Sequence, residues 1–278
     1  MTGKLFIDGV DAYTSFGVFV TSGGYNELVS FPPLKSVALN DWPETDGVEP
    51  DLLNPVLDMK EFRMSFNMLS ENGFGAFLAL LSNGAHHVFN FAEIGRSYKL
   101  RLVSMSSLKV HFDIRVFSLQ MANDFPVSDS YSYSPPASNV FIGSTGYTLD
   151  GIDMAQYGIN ILQGTKAEIL KQPPAKKNLL RKFNNVGGVQ YDGGVVIYQS
   201  KDVALNCLMR AKTLTGLWRN YDALIYNLVR PNERKLGVSY TGGEYPCFYK
   251  GCKTVRFYPV DKIWWEFTLT LVFTKFRV

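Results

Sequence analysis

Residues 13–35 read YTSFGVFVTSGGYNELVSFPPLK, and residues 154–176 read MAQYGINILQGTKAEILKQPPAK. At an offset of 141 positions, six of these 23 pairs are identical: Gly17/Gly158, Gly23/Gly164, Glu27/Glu168, Pro32/Pro173, Pro33/Pro174 and Lys35/Lys176. Seven more exchange apolar for apolar, Val18/Ile159 and Leu28/Ile169 among them. Upstream, Asp8-Gly9-Val10-Asp11 answers Asp150-Gly151-Ile152-Asp153; downstream, the same offset lays Phe62–Met68 over Val203–Met209. A register held over so long a stretch marks a duplicated unit.

Each copy reads alike. Asp-Gly signals a tight turn between short strands. A strand is expected at Phe16–Val20, and at Gly158–Leu162 in the second copy. Another runs into Pro-Pro, which ends it because proline donates nothing to a ladder. A polar arm follows, then an alternating strand near 61–69 or 202–210. Leu214, Leu217, Trp218, Tyr221, Leu224, Ile225 and Leu228 form one apolar helical stripe, stopped by Pro231. The first copy's helix is shorter, Gly73 to Leu81, closed by Asn83-Gly84. Closing strands are expected at Leu100–Met105 and Val110–Leu119, then at Pro246–Tyr258 and Ile263–Phe273. In the last of these, Trp265, Phe267, Leu269 and Leu271 share a face.

The fold class is therefore α+β, mainly β: two tandem similar domains, each an antiparallel sheet or small barrel with one packed helix and a long arm. The boundaries are 1–122 and 147–278, joined by a Ser-, Pro- and Tyr-rich linker at 123–146. A chain of 278 residues with 46% hydrophobic and 19% charged side chains is not a disordered one. Twenty-eight bases against 25 acids give a net charge of +3 and no general call for nucleic acid or membrane. The longest uncharged stretch, Asn72 to Ala92, is broken by Asn-Gly and His-His, so no membrane span is expected. The opening residues carry no signal-peptide pattern.

Catalytic signatures are missing from the sequence. His86 and His87 are adjacent and point to opposite faces of a strand, and His111 alternates with apolar neighbours. No Gly-x-Ser-x-Gly, His-Glu-x-x-His or phosphate loop occurs. Gly187-Gly188 and Asp192-Gly193-Gly194 read as turns. Cys207, Cys247 and Cys252 read as reduced, partly buried thiols, the last two flanking an expected hairpin tip, Phe-Tyr-Lys-Gly. Too few further ligands are at hand for zinc. No enzyme activity, metal or cofactor is expected.

The charge pattern is more telling. Residues 21–60 hold seven acids and two bases, whereas residues 162–201 hold seven bases and two acids. Equivalent arms thus carry opposite charge: Asp41, Glu44, Asp46, Glu49 and Asp51 against Lys171, Lys176, Lys177, Arg181 and Lys182. These ten residues are the candidate subunit interface, where the arm of one copy meets that of a neighbour and fixes its register. A head-to-tail contact of this kind closes into a ring where the rotation permits.

An opening Asp-Gly turn, a Tyr/Phe-Gly-Val/Ile step, a Pro-Pro-x-Lys exit, an arm with Asp-Gly and a strand before a helix together resemble the ring-forming domain of phage distal tail proteins. That domain is similar to the tail-tube and baseplate-hub fold. The resemblance implies a structural protein of a phage or prophage tail tip, a ring around the tail channel. It further implies other tail proteins as partners, DNA only as passing cargo, synthesis in the bacterial cytoplasm and incorporation in the virion tail. The family's usual second domain is a different β-sandwich; here a second copy stands in its place. Three chains could then form a pseudo-sixfold ring, or six chains two stacked rings. The alternative is a non-catalytic carbohydrate- or protein-binding module of two β-rich domains.

Overall fold

The backbone at Asp8-Gly9 has positive φ at both residues, 49° and 84°, as the two-residue hairpin turn requires. It folds β1 (Leu5–Ile7) back on β2 (Val10–Asp11). The structure, a computed structural model, describes residues 1–69, 73–127, 131–177, 180–191 and 194–276. Asp11 then caps α1 (Ala12–Phe16): its Oδ1 accepts from the Tyr13 and Thr14 amides, both at 2.9 Å. Gly17, left-handed at φ 72°, ends α1 and releases β3 (Val18–Val20). There follow α2 (Asn26–Val29), the arm ribbon β4 (Leu39–Asn40) and β5 (Glu49–Pro50), β6 (Lys60–Met68), α3 (Phe74–Leu81), β7 (His87–Phe91), β8 (Arg96–His111) and β9 (Ile114–Asn123).

The second half repeats the plan with β10 (Tyr147–Leu149), β11 (Ile152–Asp153), a 3-10 turn at Met154–Tyr157, β12 (Ile159–Ile161) and α4 (Thr165–Leu170). Its arm ribbon is β13 (Leu180–Arg181) and β14 (Gln190–Tyr191). It closes with β15 (Lys201–Ala211), α5 (Leu214–Leu228), β16 (Arg234–Val238), β17 (Gly243–Tyr258) and β18 (Ile263–Phe273). The sheets have the same order, β2-β1-β7-β8-β9-β6-β3 and β11-β10-β16-β17-β18-β15-β12. Each has seven antiparallel strands, and neither closes into a barrel. Register repeats too: Val18 faces Met68 as Ile159 faces Met209, and the bridge Leu34–Leu57 recurs as Ala175–Tyr198.

Alternation builds both cores. β6 buries Phe62, Met64, Phe66 and Met68; β15 buries Val203, Leu205, Cys207 and Met209; β18 buries Trp265, Phe267, Leu269 and Leu271, as its spacing implies. The exception is the residue that opens each long strand. Lys60 is buried, and its ammonium donates to the carbonyls of Glu27, Leu28 and Ser30 at the C-terminal end of α2. Lys201 donates in the same way to Glu168, Ile169 and Lys171 at the end of α4, at 2.7, 2.7 and 2.5 Å. Each lysine satisfies carbonyls that the helix leaves without a partner and lies at the negative end of its dipole.

Four local expectations change. Phe16 closes α1 instead of opening a strand, because Asp11 offers a cap. The segment into Pro-Pro is helical in both halves, at α2 and α4, because Lys60 and Lys201 collect its carbonyls. β8 runs on to His111, so the turn is at Phe112-Asp113 and the expected strand Val110–Leu119 is split by a hairpin tip. Cys247 to Cys252 is not a tip: the residue Lys250 sits in a β-bulge, β17 continues, and the chain turns only at residues 259–262. All three cysteines are free. Asp192 and Gly193 of the expected glycine turn lie outside the described residues, as do residues 128–130 of the linker.

The described part of the linker is extended but fastened to α5. Ala137 N donates to Asn220 Oδ1 at 2.8 Å, Arg219 Nε to the Pro135 carbonyl at 3.0 Å, and Tyr133 stacks on Tyr226. His87 Nδ1 lies 2.5 Å from Asp8 and His86 Nε2 2.8 Å from Asp124, while His111 is exposed. Arg234 takes the place of His87 in the second half, bound to Asp150. Among the described residues, no helix is long and apolar enough to cross a membrane.

Candidate functional site

Arm one does not project from the molecule. It lies along the second half. Gly47 N donates to the Tyr198 carbonyl at 2.7 Å, Val48 N to the Thr274 carbonyl at 3.0 Å, and Asn232 N to the Leu52 carbonyl at 2.8 Å. Leu52 packs with Phe248 and Val272 as a small apolar cluster. Lys176, at the base of arm two, is 8% exposed and holds the tip of arm one. Its Nζ donates to the carbonyls of Trp42 at 2.7 Å and Gly47 at 2.6 Å, and pairs with Asp41 at 2.5 Å. Asp46 Oδ1 accepts from Tyr198 N at 2.7 Å.

Three of the ten charged residues singled out in the sequence, Asp41, Asp46 and Lys176, therefore meet within one chain. The others are not joined to them. Glu49 accepts from the Trp42 indole at 3.1 Å, and Asp51 accepts from Leu53 N at 3.2 Å in its own turn. Glu44, Lys171, Lys177, Arg181 and Lys182 are exposed.

Beside the arm, the segment from α2 to Leu34 completes the junction. β16 pairs with β17 only over Gly243–Cys247, so the rest of β17 has a free edge on that side. The first half covers it. Leu34 N donates to the Lys250 carbonyl at 3.2 Å, and Asn26 Oδ1 accepts from Phe257 N at 3.0 Å. Phe31, 2% exposed, sits among Tyr221, Trp265, Tyr249 and Phe267, its ring centroid 4.4 Å from that of Tyr221. The Tyr249 hydroxyl donates to the Pro32 carbonyl at 2.8 Å. Next to Tyr221 on α5, Trp218 Nε1 donates to the Ile94 carbonyl at 2.6 Å, and Arg96 bonds Asp222 at 2.7 Å while lying over the Trp218 ring.

Phe31, Asn26, Gly47 and Lys60 were not singled out in the sequence. A signal was present, since a repeat whose copies differ in polarity at one position marks a contact made by one copy alone. Phe31 answers to Gln172, and Tyr25 to Lys166.

Burial lowers the Lys60 ammonium to about 7, and the neighbouring Cys252 and Glu27 recover only part of that shift. Lys201, less covered, is lowered to about 8 for the same reason. The Cys252 thiol near Lys60 is pushed up by burial to about 12, with Lys60 offsetting part of that rise.

Gly47 fixes how closely the arm lies. It has φ +73°, and a Cβ there would stand 1.5 Å from the Thr274 carbonyl oxygen. Gly47→Ala is expected to lift arm one off the second half, read as faster proteolytic cleavage within residues 36–56. Gly188→Ala, at the equivalent turn with φ +86° and open space around it, carries only the left-handed penalty of about 1–2 kcal/mol and leaves arm one protected.

A cleft of about 620 Å³ opens at the junction, lined in part by Phe19, Tyr25, Glu93, Phe257 and Tyr258. Glu93 is engaged, accepting from Lys4 Nζ at 2.8 Å and from the Tyr25 hydroxyl at 3.1 Å. Among the described residues no three His, Cys, Asp or Glu side chains cluster as metal ligands.

No family model and no curated protein matches the chain. Among solved structures, that of the Dit protein of phage SPP1 is similar, described as a paradigm of the hub adsorption apparatus in phages infecting Gram-positive bacteria. It aligns over 97% of this chain and 97% of its own, at 11% identity and a TM-score of 0.32. A likeness so loose bears no functional weight, which falls instead on the residues of the junction.

Proposed function

We propose that the chain is a non-catalytic structural component of a phage or prophage tail tip, a distal-tail or hub-like ring protein. It is made in the bacterial cytoplasm and built into the virion tail. Its working units are residues 1–122 and 147–278, joined by 123–146. Several chains surround a channel through which DNA passes as cargo, in contact with other tail proteins.

One observation carries this reading. The same sheet, helix and arm occur twice, and the first copy docks head-to-tail on the second through its arm and the edge of a sheet. A heterologous contact of that kind is the element from which rings are generated. Catalysis needs converging titratable groups. Here Asp11 and Asp153 cap turns, His86 and His87 pair with Asp124 and Asp8, and Asp41 and Asp46 hold the arm contact.

The test is the mass of the purified protein in solution at tens of micromolar, with negative-stain images of the particles. Annular particles of three or six chains are expected. A monomer throughout that range overturns the proposal. A carbohydrate- or protein-binding module would use the aromatic junction cleft. Glycan binding by a monomer, lost in Tyr258→Ala, would favour it.

A further inference from the structure

We infer that the free edge of β8 in the first half, around Val103 to Val110, is the docking surface for a second copy of this chain. It receives α4 and arm two of that copy, repeating between chains the contact that α2 and arm one make within the chain. This deepens the ring proposal and rests on it.

The contact within the chain supplies the template, and register supplies the correspondence. β7 pairs with β8 only over Arg96–Leu100, as β16 pairs with β17 only over Gly243–Cys247. Both strands then bulge at equivalent residues, Val103 and Lys250. Beyond the bulge, Met105, Leu108 and Val110 match Cys252, Thr254 and Phe257, since each pair faces equivalent residues of β9 and β18. In the second half this edge is covered: Lys250 and Phe257 bond the first half, and Phe257 is buried. In the first half the same edge has no such cover among the described residues. Met105, Leu108 and Val110 are 44%, 41% and 54% exposed. An uncovered apolar strand edge is a template for pairing, and proteins that leave one open do so at a cost in solubility.

The other surface is bare in a complementary way. Val29, at the end of α2, is 1% exposed, whereas its counterpart Leu170, at the end of α4, is 51% exposed. Lys60 is buried, with Cys252 of the second half as a neighbour, but Lys201, with the three equivalent carbonyl partners, is only half-buried. Gly47 is pressed on Thr274, while a Cβ at Gly188 would meet nothing within 4 Å among the described residues. Lys176 is buried in the backbone of arm one, while Lys35, its repeat partner, is exposed. At each pair the first-listed residue lies in the contact within the chain. The second is ready for the same contact with another molecule. Both halves of one interface thus stand open on opposite ends of the chain, the arrangement a head-to-tail assembly needs.

The copies differ in two respects that weaken the contact between chains. Gln172 replaces Phe31, and α3 is half the length of α5, so no aromatic plug is repeated. Lys182 stands where arm one has Asp41, so Lys35 would hold arm two by backbone carbonyls alone. The contact within the chain is permanent, and the one between chains is reversible.

Leu34 and Lys250, whose backbones bond at 3.2 Å, correspond to Ala175 and Val103, both exposed. Two full-length variants, Ala175→Cys and Val103→Cys, are mixed and oxidised. A disulfide-linked dimer is expected from the mixture and from neither variant alone. Leu170→Asp, at an exposed site, should keep the wild-type melting curve and raise the dissociation constant about tenfold or more. If wild type assembles but the mixture gives no more cross-linking than each variant alone, this surface is wrong and the ring proposal stands. If wild type stays monomeric, both fall.

Discussion

Phe31→Ala should lower the stability of the protein by about 4 kcal/mol, the cost of emptying a fully buried aromatic site. The ring belongs to the first half by sequence but lies among four aromatic side chains of the second. Its removal therefore does more than open a cavity. The edge of β17 loses its cover, and the two halves, which share one continuous core, should begin to melt apart. Urea unfolding followed by tryptophan fluorescence reads both effects, because Trp265 contacts Phe31 directly. The expected trace changes from one transition to two. Gln172→Ala, at the equivalent exposed position, should change stability by no more than about 0.5 kcal/mol. A loss below about 1 kcal/mol for Phe31→Ala, with a single transition retained, would falsify the account of the junction.

Lys60→Met should cost about 3 kcal/mol, because three carbonyls at the end of α2 lose their donor in a buried place. The pH dependence separates this from a packing loss. In the unfolded chain the amine titrates near about 10.4; in the folded chain burial holds it at about 7. Between those values the unfolded state binds more protons than the folded state, so stability rises with pH. Below about pH 7 both states carry the charge and the contribution is level. Wild type should thus gain stability from pH 7 towards pH 10 relative to Lys60→Met, as measured by urea midpoints across that range. Lys201→Met should show a weaker version, since Lys201 is less covered and its amine is lowered only to about 8. Parallel curves for wild type and Lys60→Met would contradict the assignment of a buried, depressed amine.

The duplication could be read from the order of residues alone. Gly17 and Gly158 recur because each must turn left-handed to end a capped turn, and a side chain there would be strained. The alternation of β6 and β15 and the stripe on α5 follow from the periods of strand and helix, so their extents were legible nearly to the residue. The errors fell where a distant group decided. Lys60 lies more than thirty residues from the helix it caps, so nothing local marks Asn26–Val29 as helical. The bulge at Lys250 depends on a partner strand, so a run with glycine looked like a turn.

The opposite charges of the arms were visible, but the partner was not. Charge has no address, and only the fold places Asp41 against Lys176 of the same chain. Sequence by itself determined that one unit recurs, where its long alternating strands and the stripe of α5 run, and that one arm is acidic and the other basic. Tertiary structure alone decided which edge is covered and which is bare. Periodicity is a property of neighbours along the chain, whereas Val29 is buried and Leu170 exposed because α2 lies against β17 of the other half, while α4 packs on β15 of its own half.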